Sequence, residues 1–128
     1  MKYFFDNNVS YRYADMLKAL EVDVVALRES FSESIEDVKL FEELKGSNHV
    51  FVSGDTSQTT RRMEAKALKE TGMSALFFCP WWAKKKFWDQ ATWLITKWPI
   101  IDGYVRGVAR GTCAELRENG RAMPFFLD

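Results

Sequence analysis

Short apolar runs alternate with amphipathic stretches along residues 2–79, and this alternation limits the possible folds more than any other feature. The apolar runs have the length and composition of strands, whereas the stretches between them repeat apolar residues at helical spacing. A repeated strand-helix order predicts a mainly parallel sheet with helices on both faces, which is a three-layer α/β fold. The predicted strands are residues 2–6, 23–27, 50–52 and 75–79, and the predicted helices are residues 11–20, 34–45 and 59–71.

Capping residues mark the ends of these helices. Ser10 and Ser34 stand where an N-cap is needed, and Gly46 and Gly72 stand just beyond the last helical residues. Helical spacing assigns one apolar side to the second helix. The residues expected on that buried side are Ile35, Val38, Leu40, Phe41 and Leu44.

The regular alternation stops at residues 80–82 (Pro-Trp-Trp), and the rest of the chain is rich in aromatic residues. An amphipathic helix is predicted over residues 84–98, Pro99 is expected to end it, and a further helix is expected over residues 100–110. No repeat or linker divides the chain, so a single domain over residues 1–128 is predicted. The tryptophans expected in the core are Trp88, Trp93 and Trp98, and a hairpin is expected from residues 111–117 and 121–126 around Asn119-Gly120.

The net charge of the chain is zero, but the charges are unevenly distributed. Residues 1–58 carry 11 acidic and 6 basic side chains, while residues 59–128 carry 7 acidic and 12 basic ones. Such a split suits a protein that gathers carboxylates at one place and presents cations to a polyanion from another. Charge alone is explained equally well by solvated helix surfaces.

The sequence points to a soluble protein with reduced cysteines. No apolar run reaches the roughly 20 residues that a membrane-spanning helix needs, and the first residues predict a strand rather than a signal peptide. A cytoplasmic location without membrane contact is therefore expected. Cys79 and Cys113 lie in apolar surroundings without CxxC spacing, so two buried thiols are predicted rather than a disulfide or a zinc site.

Three acids fall where the predicted topology would bring them together. Asp6 ends the first strand, Asp55 follows the third, and Asp37 lies in the first turn of the second helix. Carboxylates that converge on one edge of a parallel sheet repel each other unless a cation lies among them. Oxygen ligands select a hard divalent ion such as Mg²⁺ or Mn²⁺. The pattern therefore indicates hydrolysis of a phosphodiester at a metal site.

Each acid also has a plain local explanation. Asp37 stands three residues after Ser34, so it could complete a helix N-terminus resembling a capping box. Asp55 lies in a Gly-Asp-Thr sequence that is typical of an Asx turn, and Asp6 could make the same turn before Asn7. Residue types alone leave both interpretations open.

Several motifs of the chain occur together in one known family. They are the opening segment 5–12 (FDNNVSYR), the helix that carries Asp37, the segment 50–55 (VFVSGD) and the aromatic segment 86–99 (KFWDQATWLITKWP). Together they resemble the PIN-like nuclease superfamily, and most closely its short VapC-type toxin branch. In that branch an Asp-x-Asn-Leu-x-x-Arg opening precedes an Asp-headed helix and a strand ending in Thr-x-Asp. The aromatic segment is similar to the C-terminal FWxQxxW...WP segment that marks the branch.

The resemblance implies a PIN-like fold and a metal-dependent endoribonuclease that hydrolyses RNA with Mg²⁺ or Mn²⁺. It implies that the enzyme is the toxin of a toxin-antitoxin pair, so the expected partners are RNA and an antitoxin protein, with a homodimer left open. It also implies roles for individual residues. Asp6, Asp37 and Asp55 match the catalytic, metal-binding acids, Asn8 matches a catalytic polar residue, and Arg12 matches a phosphate contact.

The chain departs from the family pattern at two places. Asn7 stands where an acidic residue is more common, and residues 56–58 read Thr-Ser-Gln where an aromatic residue is usual. We identify no fourth acid of the kind that larger PIN domains use.

Basic and aromatic residues supply candidate contacts to RNA. Arg12, Arg61, Arg62 and the lysine run 84–86 could contact the backbone, and the two tryptophans at residues 81–82 could stack on unpaired bases. The alternative is a tryptophan cluster in the core with solvated lysines around it.

Two other function classes are kept beside the nuclease. One is a catalytically inactive PIN-like module whose aromatic C-terminal half binds a partner protein. The other is a phosphotransfer domain built on Asp6. This hypothesis is weakened because Asn8 stands where a phosphatase has its second Asp.

His49 is the single histidine, so two-histidine ribonuclease chemistry is excluded and a Ser-His-Asp triad is disfavoured.

Overall fold

A computed structural model describes residues 1–55 and 57–125, apart from the side chains of residues 58–61. These ranges contain six strands and six helices. The strands are β1 (Lys2–Phe5), β2 (Val24–Ala26), β3 (His49–Ser53), β4 (Ala75–Phe78), β5 (Cys113–Leu116) and β6 (Ala122–Pro124). The helices are α1 (Tyr11–Ala19), α2 (Leu27–Ser30), α3 (Asp37–Leu44), α4 (Gln58–Thr71), α5 (Pro80–Ala83) and α6 (Phe87–Gly107).

The strands form one sheet in the order β2-β1-β3-β4-β5-β6. Neighbouring strands are parallel except β5 and β6, which form the predicted antiparallel hairpin. Phe5 at the end of β1 pairs with Ala26 of β2 and with Val52 of β3, so these three strands end at the same level. The predicted α/β architecture is confirmed. We call the edge formed by the C-terminal ends of the parallel strands the carboxyl edge.

Both faces of the sheet are covered, because successive strand residues point to opposite sides. Tyr3 and Phe5 pack on one face with α1, α5 and α6. Phe4 packs on the other face with α2, α3 and α4. All three aromatic side chains are almost completely buried. The two cores together hold the strands rigidly, so the residues that follow them start from fixed positions.

Helix α6 runs through Pro99, so the prediction that this proline ends the helix is wrong. A proline inside a helix costs roughly 3 kcal/mol, because it removes a backbone donor and its ring crowds the preceding turn. Trp98 and Ile101 lie on either side of it and are 5% and 0% exposed. Burial of a large apolar side chain contributes about 1.5–3 kcal/mol. Two such side chains offset the proline and keep one helix on the sheet.

Trp88 lies outside the core, contrary to the prediction, whereas Trp93 and Trp98 are buried as expected. The buried stripe of α6 includes Ala91, Leu94 and Trp98, which are spaced by three and four residues. Counting back four residues from Ala91 leads to Phe87 rather than to Trp88. The tryptophan therefore points away from the stripe, and 80% of its surface is exposed.

Helix α3 begins later than predicted. Its N-cap is Glu36, which makes no side-chain cap bond, so the predicted cap at Ser34 is wrong. The Ser34 hydroxyl instead lies 2.8 Å from that of Ser32. Val38 is exposed, contrary to prediction, because it lies two residues before the buried Leu40, on the other side of the first turn. Burial of Leu40, Phe41 and Leu44 agrees with the prediction.

Both cysteines are buried thiols, as predicted. Burial raises the pKa of Cys113 to about 11, so this thiol is protonated and unreactive at neutral pH. Among the helices that the structure describes, none is long and apolar enough to cross a membrane.

Candidate active site

Asp6 is the first residue after β1 and stands at the carboxyl edge. Its backbone N–H donates to the Val52 carbonyl at 3.0 Å, which extends the pairing of β1 with β3 by one residue. Its Oδ1 accepts a hydrogen bond from the Asn7 N–H at 2.8 Å. Burial raises the pKa of Asp6, the Asn7 hydrogen bond opposes this rise, and repulsion from Asp37 and Asp55 adds to it.

Asn8 ties the loop after β1 to the end of β3. Its Nδ2 donates to the hydroxyl of the buried Ser53 at 3.2 Å, and its Oδ1 accepts from the Gly54 N–H at 2.8 Å. The two loops approach so closely that a Cβ on Gly54 would lie 2.7 Å from the backbone oxygen of Asn8. The contacts of Asn8 therefore fix the loops that carry Asp6 and Asp55 relative to each other.

Asp55 follows β3 in the second of these loops and is half-buried. Its N–H donates to the Ser53 hydroxyl at 3.2 Å, and its Oδ1 accepts from the Ser57 N–H at 2.8 Å. The second bond is the Asx turn that gives Asp55 a local role. A carboxylate has about four lone-pair sites, so the turn leaves capacity for a cation or another donor.

Asp37 is the first residue of α3 and is exposed. Its negative charge is favourable at a helix N-terminus. The capping-box explanation does not hold, because Ser34 is not the cap. Helix α3 packs against α4, and repulsion from Asp37 contributes to the raised pKa of both Asp6 and Glu64.

Glu64 is a fourth acid of this site, and it was missed in the sequence. It lies on α4 and is half-buried, and its Oε2 has no hydrogen-bond partner within the described part of the chain. Burial raises the pKa of Glu64 to about 8, and repulsion from Asp6, Asp37 and Asp55 adds to that rise. The four side chains therefore belong to one electrostatic site.

A signal for Glu64 is present in the sequence. The buried residues of α4 include Ala65 and Leu68, and Glu64 stands four residues before Leu68, on the same side of the helix. An acid on the apolar side of a helix needs water, a partner or a ligand to offset its burial. Because α4 starts just after β3, this acid lies near the carboxyl edge.

The four acids do not form a finished coordination shell. Over residues 1–55 and 57–125, no group of three or more His, Cys, Asp or Glu side chains is positioned to hold one metal ion. Carboxylates that repel one another turn apart, so an ion would have to draw them together. Their chemistry suits a hard divalent cation, because every donor is an oxygen. The partnerless Oε2 of Glu64 is the donor with most to gain from an ion.

The predicted substrate-binding arginines lie on helices that start at the carboxyl edge. Arg12 is in the first turn of α1, and its guanidinium carbon lies 4.9 Å from the centre of the Phe87 ring. Arg62 is exposed on α4. The side chain of Arg61 lies outside the described part of the structure.

Trp82 does not form the predicted base-stacking surface, because it is 5% exposed and stacks on Phe78 with ring centres 4.0 Å apart. Trp81 is half-buried, donates its indole N–H to the Leu116 carbonyl at 3.0 Å and packs on Trp93. The alternative of a core tryptophan cluster describes these residues correctly.

The chain matches a known protein family. The PIN-like domain family matches residues 1–80, which is more than half of the chain and includes all four acids. The aromatic segment 86–99 lies beyond the matched residues. No curated protein and no solved structure gives a significant match. The matched span and the six-stranded, mostly parallel sheet agree, and the chain belongs to the PIN-like domain family, a family of nuclease type.

Proposed function

We propose that this protein is a metal-dependent endoribonuclease that hydrolyses phosphodiester bonds in RNA. The observation that carries the proposal is the half-buried Glu64, whose Oε2 lacks a hydrogen-bond partner in the described structure while the charges of three aspartates act on it. Uncompensated burial of this kind destabilises a fold, so it marks a place where function outweighs stability. In a PIN-like domain the function that fits it is a nuclease site.

Mg²⁺ or Mn²⁺ is the cofactor that fits these donors. Asp6, Asp37, Asp55 and Glu64 would hold the ion through carboxylate oxygens. When bound, such an ion would lower the pKa of an attacking water and would stabilise negative charge on the phosphodiester. Burial raises the pKa of Asp6 and Glu64, and a cation would relieve the mutual repulsion that adds to this rise.

The protein's own residues position the acids and control access of the substrate. Asn8 holds the two loops in register, because it donates to the Ser53 hydroxyl at 3.2 Å and accepts from the Gly54 N–H at 2.8 Å. The hydrogen bond from the Asp6 N–H to the Val52 carbonyl fixes the backbone position of Asp6, and with it the point from which its side chain extends. Without a cation, ionised carboxylates repel a phosphodiester, so the site admits substrate only once its charge is offset.

The toxin role and the antitoxin partner are part of the proposal. They are supported by the resemblance of the aromatic segment 86–99 to the VapC-type branch, and the mostly basic second half of the chain suits RNA. Expression of the protein alone is expected to stop growth of a bacterial host. Growth that is unaffected by the wild-type protein would argue against a toxin.

Cleavage of single-stranded RNA by the purified protein tests the enzymatic proposal. We expect cleavage with Mn²⁺, none with a chelator, and none by the Asp55→Asn variant, which keeps an acceptor for the Ser57 N–H. Intact RNA in the presence of Mn²⁺ and folded wild-type protein would contradict the proposal.

An inactive PIN-like interaction module is the second candidate. It is favoured by one observation, namely that no three described acids are already placed to hold an ion. Binding of a partner protein by a chain that neither binds Mn²⁺ nor cleaves RNA would support this candidate.

A further inference from the structure

Trp88 is the most exposed of the large apolar side chains that the structure describes, with 80% of its surface in solvent. It lies in the first turn of α6, whose buried residues begin only at Ala91. Tryptophan carries a large apolar face and is usually mostly buried. Packing therefore does not account for it, and a contact with another molecule would.

Phe87 extends the exposed aromatic surface. It is 42% exposed, and its ring lies 6.4 Å from that of Trp88 at an interplanar angle of 84°. Beneath it lies the buried Tyr13, stacked at a centroid distance of 5.2 Å. The Tyr13 hydroxyl donates to Gln90, which in turn donates to the Trp82 carbonyl. One face of the Phe87 ring therefore packs on Tyr13, while part of the side chain remains exposed to solvent.

Basic residues accompany these two rings, one in contact with Phe87 and others next to them in the chain. Arg12 lies over the Phe87 ring at 4.9 Å. Lys84 and Lys86 are exposed and form no ion pair with any described residue, whereas Lys85 is paired with Glu118 at 3.0 Å. One acid, Asp89, lies on the same turn of α6 as Trp88. The balance around the rings is positive, which complements a polyanion.

The aromatic surface and the acids share the carboxyl edge. Helix α1 starts there after β1, and α6 starts there after β4 and the short helix α5. Arg12 stands six positions after Asp6, so their Cα atoms lie within about 20 Å of each other. The acids of α3 and α4 lie over one face of the sheet, and α1 and α6 cover the other. A strand of RNA that crosses this edge would meet both.

We propose that Phe87 and Trp88, flanked by Arg12, Lys84 and Lys86, stack on unpaired bases of the RNA strand whose backbone enters the carboxylate site. This assignment rests on the proposed nuclease function and adds the part of the surface that binds the substrate. Stacking on aromatic rings selects single strands, because a duplex keeps its bases stacked on each other. The surface accordingly favours unpaired RNA over duplex.

Binding measurements with the non-cleaving Asp55→Asn protein test the assignment. Anisotropy of a fluorescein-labelled single-stranded RNA in Mg²⁺ gives the affinity of this parent. We expect an added Trp88→Ala change to weaken binding roughly 10-fold to 100-fold, in line with the loss of one stacked base. Trp88→Phe should restore most of the affinity. Ile100→Ala removes another exposed apolar side chain of α6, which is 46% exposed, and should leave affinity unchanged.

Other outcomes would overturn the assignment. Trp88→Ala binding as tightly as the parent would show that no base stacks on Trp88. An equal loss in Ile100→Ala would show that the loss does not come from the Trp88 ring in particular. A duplex bound as tightly as the single strand would contradict stacking on unpaired bases. Size-exclusion chromatography that shows a dimer broken by Trp88→Ala, with RNA affinity unchanged, would assign the surface to a second copy of the chain instead.

Cleavage kinetics separate this inference from the proposed function. In otherwise wild-type protein, Trp88→Ala should raise KM for single-stranded RNA and leave kcat within about twofold, because binding is lost rather than chemistry. If Trp88→Ala is active with an unchanged KM, the stacking inference is wrong and the nuclease proposal stands. If RNA binding depends on Trp88 but no RNA is cleaved, the nuclease proposal is wrong and the RNA-binding surface stands.

Discussion

Glu64 and Asp102 are both acids that are partly removed from water, but the groups around them have opposite effects on their pKa values. Asp102 accepts hydrogen bonds from the Tyr3 hydroxyl at 2.6 Å and from Arg106 Nε at 2.7 Å. Burial opposes its ionisation, but those two bonds and the Arg106 charge outweigh burial and lower the pKa of Asp102. Burial, with added repulsion from the surrounding acids, raises the pKa of Glu64 to about 8.

The difference is the one we expect between an acid that belongs to the scaffold and an acid that binds a ligand. Asp102 lies on the second half of α6, near the N-terminal ends of the strands, and is neutralised by the chain itself. Glu64 lies near the opposite edge, and the described structure supplies no partner for its Oε2. An unsatisfied acid reduces stability, so its natural complement is a cation from solution.

The largest expected effect is on RNA cleavage, which should depend on the acids at the carboxyl edge and not on Asp102. Asp6→Asn should lower the rate of RNA cleavage about 100-fold or more, because loss of an ion-binding carboxylate forfeits several kcal/mol of charge stabilisation. Asp102→Asn, the matched control, should cleave at nearly the wild-type rate. Equal losses in the two variants, measured with the same RNA and Mn²⁺, would mean that the acids do not differ in function.

Stability as a function of pH gives a second contrast. Without metal, Glu64 keeps its proton in the folded state up to its pKa of about 8, whereas in the unfolded chain it ionises near its ordinary value of 4.5. The unfolded state thus binds fewer protons across this window, and stability falls as pH rises through it. Mg²⁺ should therefore raise Tm more at about pH 8 than at about pH 5, because the ion replaces the proton.

Glu64→Gln is the control for this pH effect. Without metal, the variant should be more stable than wild type at about pH 8, since the neutral amide removes the buried charge. Its Tm should respond less to Mg²⁺. A variant with the pH dependence and metal response of the wild-type protein would show that Glu64 is not the titrating acid.

A change at Gly54 tests the carboxyl edge without removing an acid. Gly54→Ala places a Cβ within 2.7 Å of the Asn8 backbone oxygen, and the loops must move apart to accept it. We expect a loss of about 2 kcal/mol in the free energy of unfolding, measured with urea, as is typical of overpacking. Gly103→Ala is the matched control, because nothing lies within 4 Å of the Cβ it adds. A Gly54→Ala protein as stable as this control would show that the loops are not in close contact.

The smallest effect is expected at Asp102. Asp102→Asn should lower the free energy of unfolding by about 1 kcal/mol at neutral pH, a value reduced for partial exposure and screening. The folded-state pKa of Asp102 is depressed, so its contribution is present above its ordinary pKa of 3.8 and is lost as pH falls through the lowered value. Urea unfolding of both proteins at neutral pH and at about pH 3 measures this. A difference that persists unchanged in acid would contradict it.

The sheet could be predicted from the sequence because its signals are local. Residues 2–79 alternate between strand and helix patterns of ordinary length, and the parallel order follows from that alternation. Asp6 and Asp55 could be placed at one edge for the same reason. Pro99 was misjudged because burial of Trp98 and Ile101, which outweighs the proline, depends on packing against a sheet distant in sequence.

Glu64 and Trp88 show where reasoning from the sequence stops. Glu64 is one of several acids on amphipathic helices, and its spacing from Leu68 places it on the apolar side, but its burial depends on the packing of α4. Trp88 shares a helix with two buried tryptophans. It stands one position away from the spacing of the buried residues, and that one position decides whether a side chain faces the core or solvent. Both outcomes depend on tertiary contacts that residue types do not encode locally.

Binding of Mn²⁺ measured by electron paramagnetic resonance tests the central claim most directly, because the signal of the free ion disappears as the ion binds. We predict that the wild-type protein binds Mn²⁺, that Asp6→Asn and Glu64→Gln bind it much more weakly, and that Asp102→Asn binds it like wild type. A folded wild-type protein that leaves the signal of free Mn²⁺ unchanged, or an Asp6→Asn protein that binds as tightly as wild type, would contradict the claim that the uncompensated acids at the carboxyl edge hold a cation.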